Sequence, residues 1–357
     1  MDRRLFLTAA GATALAAADR VASPLDAKVA RITPEAVRLT WTGANAVSVF
    51  VSADPDAKKP AIRPLKAASG GAADLLAPVS PRPYFLVTAA DGRQVRVAER
   101  LLPLAGGHNF RDLGGWRAAD GRQVRWGKIY RSGVMTDLTM ADLDYLRTLG
   151  LTVICDLRSP SEREAEPNPF LKAGDPKVAA ISYDRTTALS GLMKMTTPEA
   201  AIQGFANAYV DFLDLLAPHY ADMFARLLAN QGPLALNCSA GKDRTGMASA
   251  LILSVLGAPR QTVIADYALS EAYVPTSHYL EQAVRGEAFG GFSQAQSQAL
   301  AKLPVGVLEV VLGTNPEIMR RALTAIDARY GGPIAAAKAR LGLTDDKIAA
   351  LRRIYLG

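Results

Sequence analysis

Nine consecutive residues have the types and spacing from which chemistry can be built: Cys238-Ser239-Ala240-Gly241-Lys242-Asp243-Arg244-Thr245-Gly246. The apolar run Pro233-Leu234-Ala235-Leu236 ahead of them predicts a buried strand. The run from Met247 to Leu256 behind them predicts a helix, stopped at Gly257 with Pro259 beyond. A tight loop between a strand and a helix start turns successive backbone N–H groups toward one point, which makes an anion site. Here that site holds a thiol at its entrance and a guanidinium at its far end. Converging donors and the helix dipole favour the thiolate of Cys238. Arg244 can grip two oxygens of a tetrahedral phosphate at once. A thiolate and an arginine set around a phosphate cradle point to a cysteine-dependent phosphatase, in which sulfur attacks phosphorus.

Roles follow from residue type. Cys238 is the nucleophile and Arg244 the phosphate clamp, with Ser239, Ala240, Gly241, Lys242 and Thr245 as the rest of the cradle. The Thr245 hydroxyl serves either the thiolate or the helix cap. Lys242 adds charge at the rim, where it either holds a second phosphate, as on a phosphoinositide head group, or is simply solvated. Expelling an alkoxide or phenoxide needs a proton donor. Asp243 in the loop is the first candidate. Asp156 is the second, either as acid or as an acceptor that holds Arg244 or the loop. Cys155 adjoins Asp156 and either approaches Cys238 for a reversible disulfide in an oxidising compartment or, as strand alternation favours, faces the core as an inert thiol.

Three further blocks stand upstream in order: Asn109-Phe110-Arg111-Asp112-Leu113-Gly114-Gly115, Tyr130-Arg131-Ser132-Gly133 and Asp156-Leu157-Arg158-Ser159. Together with Cys238-x5-Arg244 and its Ala240-to-Gly246 extension, they give a chain that resembles the bacterial atypical protein tyrosine phosphatases. That family includes secreted mycobacterial phosphatases acting on phosphoproteins and phosphoinositides. The resemblance covers residues 101 to 357. It implies a tyrosine-phosphatase-like α/β domain, a cysteinyl-phosphate intermediate, and phosphorylated proteins or phosphoinositides as partners. It also implies the acid's role for Asp243. One departure is Asn237, where the family has histidine before the nucleophile; an amide donates hydrogen bonds but carries no charge. A second reading follows from it, a pseudophosphatase that binds phosphorylated ligands with little turnover. Arg111 and Arg131 lie inside the matching blocks. Arg131 reads as structural, and Arg111 stays open between loop support and substrate contact.

Composition narrows the alternatives. Of 357 residues, 49% are hydrophobic, enough for one large or two modest cores. Lys+Arg at 41 against Asp+Glu at 34 gives +7, which suits phosphorylated or acidic partners and is too diffuse for nucleic acid. Two cysteines and three histidines, His108, His219 and His278, fit no recognised metal-ligand spacing, so neither metal nor other cofactor is expected. Arg3-Arg4, Leu5-Phe6-Leu7 and the small apolar run to Ala18 resemble a twin-arginine export signal over residues 1–27, which implies an exported, periplasmic protein. The same run is too short for a stable membrane span. An uncleaved amphipathic helix is the other reading of it.

The positioning elements can also be read. From residue 28 to 103 the period is two: Val37, Leu39 and Trp41 alternate with polar residues, as do Val47, Val49 and Val51. Asp91-Gly92 marks a hairpin. This predicts a small all-β sandwich of fibronectin- or immunoglobulin-like type. It would pack against the catalytic part or present substrate to it; a separate adhesion role is a third reading. Residues 104–357 then form the α/β domain, with a second hairpin at Asp120-Gly121 and a helix capped by Thr139 and ended at Gly150. A strand over 151–154 follows, with Asp156 at its carboxyl end, and helices from Pro198 and from Gln261 onward. Sites in open α/β sheets lie at the carboxyl ends of strands, which puts Asp156 and Cys238 at one edge.

Overall fold

Alternating apolar side chains fold the first part of the chain into strands. The computed structural model describes residues 24–58, 63–170, 172, 175–183, 195–285, 287 and 293–357; the expected export signal lies outside them up to residue 23. Strands β1 (Asp26–Thr33), β2 (Ala36–Thr42), β3 (Ala46–Ser52), β4 (Arg63–Ser69), β5 (Ala72–Leu76), β6 (Tyr84–Ala89) and β7 (Gln94–Val97) form two antiparallel sheets. Their orders are β1-β2-β5 and β4-β3-β6-β7. Val37, Leu39 and Trp41 of β2 meet Val47, Val49, Val87 and Val95 of the other sheet in one core, while Arg38 and Thr40 between them face water. The β6–β7 hairpin turns at Gly92, whose φ of 89° is what the Asp-Gly pair provides.

The rest of the chain surrounds a five-stranded sheet of order β11-β10-β12-β9-β8. Its strands are β8 (Arg111–Asp112), β9 (Ile129–Ser132), β10 (Val153–Asp156), β11 (Lys177–Ala180) and β12 (Leu234–Asn237), parallel except for β8. Helices α1 (Met140–Thr148), α2 (Pro160–Ala165), α3 (Pro198–Leu215), α4 (Ala217–Ala229), α5 (Asp243–Val255) and α6 (Arg260–Tyr273) come first. After them come α7 (Thr276–Arg285), α8 (Gln294–Leu300), α9 (Val305–Leu312), α10 (Pro316–Tyr330), α11 (Pro333–Leu341) and α12 (Asp345–Tyr355). None of the described helices is long and apolar enough to cross a membrane.

Both faces of the two central strands are covered, and β10 and β12 are accordingly apolar up to their last residues, Asp156 and Asn237. Ile129, Val153, Leu234 and Leu236 pack with the residues of α3 to α6 and the C-terminal helices. Tyr130, Ile154 and Ala235, one residue out of phase, pack against Leu143 and Leu146 of α1. The register pairs Asp156 with Asn237 and Asn237 with Ser132, so β10, β12 and β9 end along one edge. Helix α1 starts with a complete capping box between Thr139 and Asp142. Asp120-Gly121 does turn the chain, but around a single bridge between Arg117 and Gln123 rather than a two-stranded hairpin.

The N-terminal sheets are joined to the second part through buried polar contacts. Arg82, only 4% exposed, donates to Asp112 Oδ2 and the Tyr130 hydroxyl, each at 2.8 Å, and to the Glu99 carbonyl at 2.8 Å. Trp126 belongs to the core of the N-terminal sheets and donates its indole N–H to the Arg96 carbonyl.

Candidate active site

Strand β12 ends at Asn237 and helix α5 begins at Asp243, so the nine-residue segment crosses from sheet to helix within a few residues. The loop carbonyls are drawn backward. Ser239 O accepts from Val134 N at 2.7 Å. Ala240 O accepts from Asn109 Nδ2 at 3.4 Å, and Gly241 O from the same nitrogen at 3.1 Å and from Arg131 Nη2 at 2.8 Å. With three successive carbonyls turned away, the amides between them turn inward. Among the described residues, the N–H groups of Ser239, Ala240, Gly241 and Lys242 meet no protein acceptor. A run of unpaired amides at a helix start is an anion cradle.

Two glycines permit this geometry. Gly241 has φ of 67°, and a Cβ on it would lie 2.4 Å from Gly133 N; a Cβ on Gly133 would lie 2.9 Å from Ser239 O. The Tyr130-to-Gly133 block therefore supports the loop by close backbone contact.

The support continues outward. Arg131 Nη1 bonds Asp266 Oδ2 at 2.5 Å, and Arg111 bonds Asn109 and, at 2.9 Å, the Asp266 carbonyl. Burial alone would push the Asp266 carboxyl up, but the guanidinium groups of Arg111, Arg131 and Arg100 hold it below its ordinary value. Arg111 is fully buried, with its guanidinium on Asn109 and the Asp266 carbonyl behind the loop.

Arg244 lies at the far end of the cradle. Its Nη1 and Nη2 bond the two oxygens of Glu162, each at 2.7 Å, and Nη1 also reaches Leu157 O and the Tyr183 hydroxyl. Burial disfavours its charge, but Glu162 outweighs this and raises its pKa well above the ordinary arginine value. Ser239 Oγ donates to Glu162 Oε1 at 2.8 Å, so its side chain serves the clamp from behind. Glu162 was not read from the sequence, although Ser159-Pro160-Ser161-Glu162 is a capping-box pattern with proline at the first turn.

Several expectations change. Asp156 does not hold Arg244: it is fully buried, with both oxygens bonded to Arg158, at 3.0 Å through Nε and 2.7 Å through Nη2. The Lys242 side chain is not at the rim. Its ammonium donates to Val311 O at 2.9 Å and Gly313 O at 2.8 Å, capping the C-terminal end of α9. Thr245 lies inside the first turn of α5 rather than at its cap, and its buried hydroxyl has no partner among the described residues. Asn237 is fully buried, and neither polar atom of its side chain has a hydrogen-bond partner among the described residues. Asp243 is a quarter exposed, at 25%, and its Oδ1 accepts from the Tyr209 hydroxyl at 2.7 Å.

Cys238 is 1% exposed at the base of the loop. Cys155 is buried in the core as well, and desolvation pushes its thiol up to about 12, an inert value.

Comparison with known proteins agrees with this geometry. The model of a family described as the tyrosine phosphatase family matches residues 102–357. A Cupriavidus necator protein named as a tyrosine-protein phosphatase is 34% identical over 229 residues, covering 62% of this chain and 77% of its own. The triple specificity protein phosphatase PtpB of Mycobacterium tuberculosis is 27% identical over 285 residues, 73% of this chain and all of its own length. A tyrosine-protein phosphatase of Nostoc commune is 35% identical over 155 residues, about half of its length at 49%.

Proposed function

The chain belongs to the tyrosine phosphatase family, and from that premise we propose a phosphomonoester hydrolase that works through a cysteinyl-phosphate intermediate without a metal. The observation that carries this reading is the set of four unpaired amides facing a guanidinium kept charged by Glu162. The phosphoryl oxygens sit on those amides and on Arg244. The Cys238 thiolate attacks phosphorus in line, an S–P bond forms, and the bond to the leaving oxygen breaks. Asp243 gives that oxygen its proton. Water then attacks phosphorus, the S–P bond breaks, the thiolate returns, and Asp243 takes the proton from water. Thr245, with an unpartnered hydroxyl, serves the returning thiolate.

Phosphotyrosine proteins are the proposed substrates, with phosphoserine, phosphothreonine and phosphoinositides as further candidates. The N-terminal sheets are proposed to be a sandwich of fibronectin- or immunoglobulin-like type that packs against the catalytic part, and the N-terminal residues to direct export to the periplasm. Asn237, buried with no side-chain partner among the described residues, supports the second reading, a weakly active phosphatase that chiefly binds phosphorylated ligands.

One experiment separates the two: hydrolysis of p-nitrophenyl phosphate in chelator by the wild type and by Cys238→Ser. Turnover abolished in the variant supports the enzyme. A silent wild type that still binds vanadate gives the site to the second reading, and turnover that survives Cys238→Ser overturns the thiolate mechanism.

A further inference from the structure

Helix α6 sends two consecutive side chains to the loop. Asp266 works through Arg131 and Arg111, beneath the Gly241 carbonyl. Tyr267 takes a different route. Its hydroxyl lies 2.9 Å from that of Tyr209 on α3, and Tyr209 donates to Asp243 Oδ1 at 2.7 Å. Both tyrosines are buried, at 0% and 1% exposure, and their rings meet edge-on at 5.9 Å. Phe212 stacks on Tyr209 with ring centroids 5.7 Å apart. A hydroxyl has one proton to give. Tyr209 gives its proton to the carboxyl, so the bond between the two tyrosines must run from Tyr267 to Tyr209. The chain is directional and ends on Asp243.

We infer that Tyr209 and Tyr267 are positioning residues for the proton transfer: together they fix the Asp243 carboxyl so that Oδ2 is presented to the leaving oxygen. This rests on the reading of Asp243 as the acid. The two oxygens of Asp243 are not equivalent. Oδ1 is tied inward by Tyr209 and faces the Lys242 ammonium at 3.8 Å, on the same side. Turning the carboxyl about its last torsion would exchange the oxygens, and that torsion is soft in a free side chain. The hydroxyl chain removes that freedom. Burial raises both tyrosine pKa values, so the two hydroxyls keep their protons and keep donating throughout the working range. Buried tyrosines bonded to each other are ordinary core features; what distinguishes this pair is its third member, a partly exposed carboxyl in the first turn after the cradle.

The test compares phenyl phosphate, whose leaving group needs a proton, with p-nitrophenyl phosphate, whose leaving group needs it far less. Asp243→Asn, Tyr209→Phe, Tyr267→Phe and the Tyr209→Phe/Asp243→Asn double variant are measured on both. In Tyr209→Phe, kcat on phenyl phosphate should fall about tenfold further than on p-nitrophenyl phosphate, with little change in KM. Tyr267→Phe should move the same ratio by about threefold, because it acts one bond further away. In the Asp243→Asn background, Tyr209→Phe should cause no additional change in the ratio. A loss equal on both substrates, or one that adds to Asp243→Asn, would mean a structural role only and would overturn the relay while leaving the acid in place. An Asp243→Asn variant without leaving-group dependence would remove the acid itself, and the relay with it. A thermal melt on each variant confirms that the fold is retained.

Discussion

Glu162 and Arg244 face each other through two parallel hydrogen bonds of 2.7 Å, both side chains almost out of contact with water. The pair fixes the plane of the guanidinium before any substrate arrives, and preorganised charge is the larger part of catalysis at such sites. Because Glu162 also accepts from the Ser239 hydroxyl and the Ser159 amide, it ties the start of helix α2 to the loop.

Glu162→Gln keeps the shape and removes the charge. Breaking a buried ion pair from one side typically costs about 3–5 kcal/mol. The variant should lose stability on that scale in urea titrations, and kcat should fall on the order of a hundredfold. A variant with wild-type turnover would show that Arg244 keeps its place without Glu162.

Lys242→Met tests what the ammonium does. With Lys242 capping α9, the substitution leaves the Val311 and Gly313 carbonyls without their donor and should destabilise the fold by about 1–3 kcal/mol. The ratio of activity on a phosphoinositide to activity on a phosphotyrosine peptide should stay at its wild-type value, since the charge does not reach the rim. A selective loss on the phosphoinositide would restore Lys242 to substrate binding.

The strand, loop and helix around Cys238 were legible because they depend on local signals: an apolar run, glycines, and a helix stop at Gly257. Helix α1 was legible for the same reason, through the Thr139 and Asp142 box. What escaped depends on distant partners. Lys242 looked like a rim charge because nothing nearby in sequence shows that the end of α9 packs onto it. Asp156 seemed free to hold Arg244 until the fold paired it with Arg158, two residues away, and brought Glu162 forward instead. The Tyr209 and Tyr267 hydroxyls lie on separate helices in what read as core stripes, and only tertiary packing shows that they converge on Asp243.

His219 gives the fold an acid limit. Its Nε2 lies 2.8 Å from the Ile181 carbonyl, so that nitrogen carries the proton, while Nδ1 is buried without a partner among the described residues. Burial, with Arg163 and Arg244 nearby, lowers its pKa below 6.5, against smaller raising effects of the Ile181 carbonyl and Asp156. The unfolded chain therefore binds a proton at a pH where the folded chain does not. Stability from this group is complete above about 6.5 and is lost as pH falls through the lower, folded value. Tyr183, edge-on to His219 at 5.2 Å and bonded to Arg244, connects that loss to the site. His219→Phe removes the titration, so its urea midpoint should vary less between pH 7 and 5 than that of the wild type, at about those values. Identical slopes would dismiss His219 as the source.

Arg82 ties the N-terminal sheets to Asp112 and Tyr130 of the second part. Asp112, fully buried, accepts from Arg82 and from the amides of Gly114 and Gly127, each bond at 2.7–2.8 Å. Its neighbour Arg111 supports Asn109, which holds the Ala240 and Gly241 carbonyls. Arg82→Met leaves that carboxylate buried without its counter-ion and should cost about 3–5 kcal/mol. Removing residues 24–102 takes away Arg82 together with the core into which Trp126 packs, so the remainder should be insoluble or unfolded by circular dichroism. A soluble truncated chain that hydrolyses p-nitrophenyl phosphate at the wild-type rate would show the sheets to be dispensable. In that case Asp112 would have to find its compensation in the two glycine amides alone.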